Sequence, residues 1–197
     1  MIVGMTTGTA TRPRTPRGQG RARLLAAAGD LFAEQGVSGT SLQSIADRLG
    51  VTKAAVYHQF ASKDEIVIAV AEPVIDRLRA IADAATSGSA EQKRAVVVEG
   101  LVDLALAERG TAAILRRDPT MAQLLDSHAP YLEQIARINA LLLGPNPSAE
   151  QRIALAFAGG GIMALGALPG LDGPPEDVRA GLVAAMTRAL TIERDPS

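Results

Sequence analysis

The 197-residue chain has no cysteine and no tryptophan, and aromatic residues make up only 3% of it. Without thiols there is no disulfide and no thiolate metal site, which suits a reducing, cytoplasmic setting. The only histidines, His58 and His128, have no His or Cys partner at metal-ligand spacing, so no metal is expected. No phosphate-binding loop is present; Gly159-Gly160-Gly161 does not follow a strand and lacks the dinucleotide spacing. Asp118 and Asp126 are the one candidate carboxylate pair, and helix-end and surface roles suit them better. An enzyme is therefore not expected, nor a cofactor. The N-terminus lacks the apolar stretch of a signal peptide. Ile153 to Leu171 holds 19 residues without a charge, close to a membrane-spanning length. Five glycines and Pro169 interrupt it, and no aromatic belt flanks it, so a helix buried on all sides is expected instead of a membrane span.

Apolar residues form 47% of the chain and charged residues 21%, the balance of a globular protein. Ala and Leu dominate, which favours an all-α fold. The formal charge of −1 conceals a split. Residues 1–63 carry eight Lys/Arg against three Asp/Glu, and residues 64–197 carry twelve against eighteen. A basic first third beside an acidic remainder points to a polyanionic partner for the first part only. Residues 1–19 are rich in Thr, Pro, Arg and Gly with no helical period, and read as a disordered basic arm. Its arginines are either solvated or reach phosphates and the minor groove.

The stretch from Thr40 to Lys63 is the most informative. Thr40 or Ser41 caps a helix whose apolar face is Leu42, Ile45, Ala46 and Leu49. Gly50 supplies the left-handed stop, and Thr52 caps a second helix from Lys53 to Phe60. Val56 and Phe60 face inward; Ala54, Ala55 and His58 face the other way, with Lys53 and Tyr57 on one shoulder. A small outer face lets a backbone approach a groove floor. Alanine can touch a thymine methyl, and lysine can donate to guanine. Thr52, Tyr57 and Lys63 are types that donate to phosphates. This is the pattern of a helix-turn-helix that lays its second helix in the DNA major groove. Arg21 to Gln35, with Leu24, Leu25, Ala28, Leu31 and Phe32 on one face, completes a three-helix core.

Ala26 through Ala71 resembles the N-terminal domain of TetR-type, tetracycline-repressor-like, transcriptional regulators. The matching features are Gly36, Ser41, Ile45 and Ala46, then Gly50 to Ile66, with Val56, Tyr57, Phe60 and Lys63 the most specific. Val56 stands where leucine is commoner and keeps the buried role. The resemblance implies a homodimer, paired through helices near 149–168 and 176–192. It also implies a C-terminal helical ligand-binding and dimerisation domain with an apolar pocket. The expected organisation is thus an arm at 1–19, a DNA-binding domain at 20–66, and an effector and dimerisation domain at 67–197.

Beyond the head, a helix capped by Ser62 and carrying Pro73 is expected to kink near the proline. Further helices are expected near 90–108, 112–117, 120–126, 130–143, 149–168 and 176–192, separated by Gly, Pro and Ser signals. Leu104, Met121, Leu125, Tyr131, Ile135, Phe157 and Met163 are candidate pocket residues or plain core. Arg116, Arg117 and His128 are candidate anchors for an anionic head group. Thr40, Ser41, Thr52, Lys53, Ala54, Ala55, Tyr57, His58 and Lys63 are the candidate DNA contacts. The function expected is a transcriptional regulator, a repressor released from a palindromic operator by a small apolar or amphipathic effector. The alternative is a ligand-independent architectural or activating DNA binder.

Overall fold

Local chemistry sets where most helices begin and end. The structure is a computed structural model, and it describes residues 19–108, 118–164 and 175–191. Within these residues there are nine helices and no strand. The first, α1 (Gln19–Gly39), loses regularity at Gly36, whose φ of 77° is open to glycine at little cost. α2 (Leu42–Leu49) starts at a capping box: Ser41 Oγ accepts from Ser44 N, and Ser44 Oγ accepts from Ser41 N. Gly50 closes it in the left-handed conformation and donates its N–H to Ala46 and Asp47. α3 (Lys53–Tyr57) begins at Thr52, whose Oγ1 accepts from Ala55 N. It is shorter than the expected 53–60, because His58 already serves as its C-cap.

α4 (Lys63–Ala84) begins at Ser62 and runs unbroken through Pro73. Pro73 faces solvent, and the helix holds on both sides of it because Ala71 and Ile75 are packed into the core. α5 (Ala90–Ala107) has a Ser89–Gln92 capping box. α6 (Pro119–Asp126) is capped by Asp118, and α7 (Ala129–Leu143) starts with Pro130 in its first turn and stops at Gly144. Ser148 and Gln151 cap α8 (Ala149–Ala164) reciprocally, and α9 (Pro175–Leu190) is the last element. The expected helix at 112–117 and residues 1–18 of the expected arm lie outside the described residues, while Gln19 already belongs to α1.

Two apolar cores divide the chain. The first joins Leu31, Phe32, Ile45, Val56 and Phe60 to Ile66, Val67 and Ile75 of α4, and takes Met121 and Leu125 from α6. It therefore reaches well past residue 66. The second joins Ala82, Val97, Val98, Ile138, Leu142, Met186 and Leu190. α4 packs on α5 and α7, and α9 packs on α5 and α8. Two polar ties reinforce these contacts: Arg94 Nε donates to the Leu142 carbonyl at 2.7 Å, and Arg137 pairs with Asp83 at 2.6 Å.

Candidate nucleic-acid interface and apolar cavity

Val56 is fully buried and Phe60 is 4% exposed, so α3 is pinned to the head by its inner face. The outer face carries Lys53, Ala54, Tyr57 and His58, all exposed, while Ala55 is half-buried. The Lys53 ammonium lies 5.7 Å from the Tyr57 ring centroid, and Arg21 lies 4.8 Å from the Phe60 ring. These cation–π contacts orient both basic groups on the head without neutralising them. Arg48 is paired with Glu34 through two hydrogen bonds of 3.1 and 2.6 Å, which hold the Glu34 carboxyl below its usual range. Lys53 has no such carboxylate partner among the described residues.

Two candidate contacts are turned inward. Thr40 is 2% exposed, and its hydroxyl donates to the Gly36 carbonyl at 2.8 Å. Ser41, not Thr40, is the cap. Lys63 donates to the carbonyls of Val37, at 2.9 Å, and Thr40, at 3.1 Å. Both Thr40 and Lys63 thus tie up their polar atoms in holding the turn that precedes α2. The helical pattern alone does not distinguish a lysine reaching for phosphate from one reaching for the end of a neighbouring helix.

The helical domain contains a cavity of about 810 Å³. α7 forms its long wall with Tyr131, Ile135, Ile138, Asn139, Leu142 and Leu143. From Tyr131 to Leu143 that wall measures roughly 18 Å at 1.5 Å per residue. Val74 and Leu78 of α4, Leu101 and Leu104 of α5, Leu125 of α6, and Leu155 and Ile162 of α8 line the rest of it. The lining is apolar except for Glu108, Asp126, Tyr131, Asn139 and Arg152. Burial, aided by the charge of Asp126, raises the Tyr131 hydroxyl above its usual 10.0, so it is a neutral donor at physiological pH.

Leu104, Leu125, Tyr131 and Ile135 lie in the cavity wall. Met121 does not: it is fully buried in the head core, because its side of α6 faces α1 and α4. Phe157 does not either; it is 79% exposed on the far side of α8. The side chain of Met163 and the anchors Arg116 and Arg117 lie outside the described residues. His128 is not in this wall; it borders a shallow cleft with Phe60 and Glu65. Leu101, Asn139 and Arg152 are lining residues the sequence reading missed, and only the helical phase of α5, α7 and α8 could have pointed to them.

Ile153 to Leu171 was expected to be buried on all sides, and α8 is not. Ile153 is 57% exposed, and no atom lies within 4 Å of a Cβ built at Gly159, Gly160 or Gly161. One face packs on α5 and α9, and the other is bare. Among the described residues no helix is long and apolar enough to cross a membrane, and no cluster of side chains could hold a metal.

Comparison with known proteins agrees with this geometry. Residues 24–70 match the model of bacterial regulatory proteins, tetR family. A transcriptional activator, FasR of Mycolicibacterium smegmatis, is 40% identical over 65 residues; the match spans 33% of this chain and only 30% of that protein. An HTH-type transcriptional repressor of Mycobacterium tuberculosis is 34% identical over 134 residues, 64% of this chain and 69% of its own. Among solved structures, the ketosteroid transcriptional regulator KstR2 of Mycobacterium tuberculosis shares the fold, with a TM-score of 0.63 at 20% identity, covering 88% of this chain and 94% of that one. A TetR-like regulator from Rhodococcus sp. RHA1 does so with a TM-score of 0.66 at 23% identity, covering 91% and 100%. A helix-turn-helix head, an all-helical body and a mycobacterial repressor matched over two-thirds of its length place this chain in the TetR family of transcriptional regulators, which are not enzymes.

Proposed function

We propose that the protein is a dimeric repressor that leaves a palindromic operator when a small apolar or amphipathic molecule fills the cavity of its helical domain. The cavity itself supports this: about 810 Å³, walled mostly by apolar residues, and touching α4, the helix that enters the head. A ligand-independent architectural or activating protein has no need of such a space. The head spans residues 20–66 with support from the rest of α4, and the effector and dimerisation domain occupies most of 67–197.

Each α3 enters one major groove, with Lys53, Ala54, Ala55 and His58 toward base edges and Ser41, Thr52 and Tyr57 toward phosphates. In the dimer the two α3 helices reach half-sites about 34–36 Å apart or a multiple of that. The bare face of α8, with the outer face of α9, joins the two copies. The effector shifts DNA affinity only through its differing affinity for the two states.

Selection of bound genomic DNA by the purified protein at stated salt tests this, since affinity depends steeply on salt. One recovered palindrome supports the dimeric reader. Recovery of unspecific DNA, with Lys53→Ala indistinguishable from the unaltered protein, overturns it. Uptake of a neutral apolar fluorophore, N-phenyl-1-naphthylamine, tests the cavity: Ile135→Asp puts a charge in its apolar wall and should lower the fluorescence gain. Equal gain in that variant places the dye elsewhere.

A further inference from the structure

The last turn of α1 is gripped from two directions at one residue, Val37. The Val37 N–H donates to Asp118 Oδ2 at 2.5 Å, and the Val37 carbonyl accepts from Lys63 at 2.9 Å. Asp118 is only 8% exposed. Its other oxygen, Oδ1, accepts from the N–H groups of Thr120 and Met121 in the first turn of α6, at 2.9 and 3.1 Å. One carboxylate therefore caps α6 and holds the head at the same time. Beside it, the hydroxyls of Ser38 and Thr120 meet at 2.9 Å. A Cβ at position 36 would lie 2.9 Å from Asp118 Oδ2, so the approach needs the glycine found there.

One side of α6 borders the cavity. Ala122, Leu125 and Asp126 line it, and Leu125 also belongs to the head core. We infer that Asp118 is a positioning residue that couples the cavity to the DNA-reading head through Val37. The inference rests on the DNA-binding reading above. A helix of eight residues moves as one body, so a displacement at Leu125 moves its capped end. Charge-assisted hydrogen bonds to a buried carboxylate are among the stronger ones, so Val37 follows the cap. Thr40, held by the same Lys63, immediately precedes the cap of α2, and a shift there re-aims α2 and α3 together. Coupling between binding sites is reciprocal, so DNA at the head must act on α6 as the cavity acts on DNA.

Asp118→Asn separates the two jobs of the side chain. The amide oxygen can still accept from Thr120 and Met121, but the amide nitrogen is a donor and meets the Val37 N–H donor. The test is hydrogen exchange of the full chain, with and without a duplex recovered by DNA selection. In the unaltered protein the duplex should slow exchange at the α6 amides from Ala122 to Asp126 on the order of fivefold. In Asp118→Asn that slowing should be lost while a gel shift still shows the duplex bound. Unchanged α6 exchange in the unaltered protein, or full slowing in the variant, overturns the coupling. Failure of the unaltered protein to shift any duplex overturns the DNA-binding reading, and the coupling with it. Should Asp118→Asn lose its cooperative melt, Ser38→Cys with Thr120→Cys replaces it. The chain has no other cysteine, so one disulfide joins the same two segments. The oxidised form must transmit more slowing to α6 than its reduced form, and equality overturns the proposal.

Discussion

Lys63 holds the head together from within. Its ammonium serves two backbone carbonyls that no other side chain reaches among the described residues, and one of them belongs to the buried Val37. Lys63→Met leaves those acceptors without the charged donor, so stability should fall by about 1–3 kcal/mol in thermal unfolding. A variant that melts with the parent would show that the ammonium has no structural part. Asp103 carries a weaker tie. Hydrogen bonds from Arg179, at 2.6 and 2.9 Å, hold its carboxyl below the usual 3.8, while some burial acts the other way. A lowered folded pKa stabilises above the unfolded value, and the gain is lost as pH falls through the folded one. Both partners are substantially exposed, so solvent screens the pair and its contribution is small. Asp103→Asn should therefore melt slightly below the parent near neutral pH and together with it in strong acid. A gap that persists in acid would assign the tie to packing.

At the scale of the element, α3 divides its labour by face. Lys53 is an exposed cation steered by the Tyr57 ring, whereas the Tyr57 hydroxyl offers a single neutral donor. Lys53→Ala should change which sequences are selected, with a loss of about 1–3 kcal/mol at preferred sites. Tyr57→Phe should weaken all sequences alike, as loss of a phosphate contact does. Titration against a panel of duplexes separates the two outcomes. The caps at Ser41, Thr52, Ser62 and Ser148 and the stop at Gly50 were legible in the sequence because they are contacts between residues a few positions apart. The orientation of α6 was not. Met121 and Leu125 share a helical face, yet one ends in the head core alone and the other also reaches the cavity. Periodicity says that a face is buried and does not name its neighbour.

For the whole molecule, the bare face of α8 is the feature one chain does not satisfy. Ile153 and Phe157 lie one turn apart, and the glycines beyond them leave the backbone uncovered. Large apolar side chains left in water on a helix facing away from its own core mark a contact surface. Phe157→Asp should convert the dimer to monomer in sedimentation while the helical content stays unchanged. A variant that remains dimeric would move the interface to another face. The sequence showed the length and apolar character of this segment, but an apolar helix reads the same whether its cover comes from its own chain or from a second one.

If that bare face joins two copies, as proposed, abundance becomes a control parameter. If only the pair spans both half-sites, the concentration of competent reader grows as the square of the chain concentration when subunits are scarce. Dilution at cell division or a modest fall in synthesis then empties the operator more steeply than it thins the protein. If the proposed interface holds, Phe157, which lies outside the cavity wall, helps set the threshold copy number at which regulation begins.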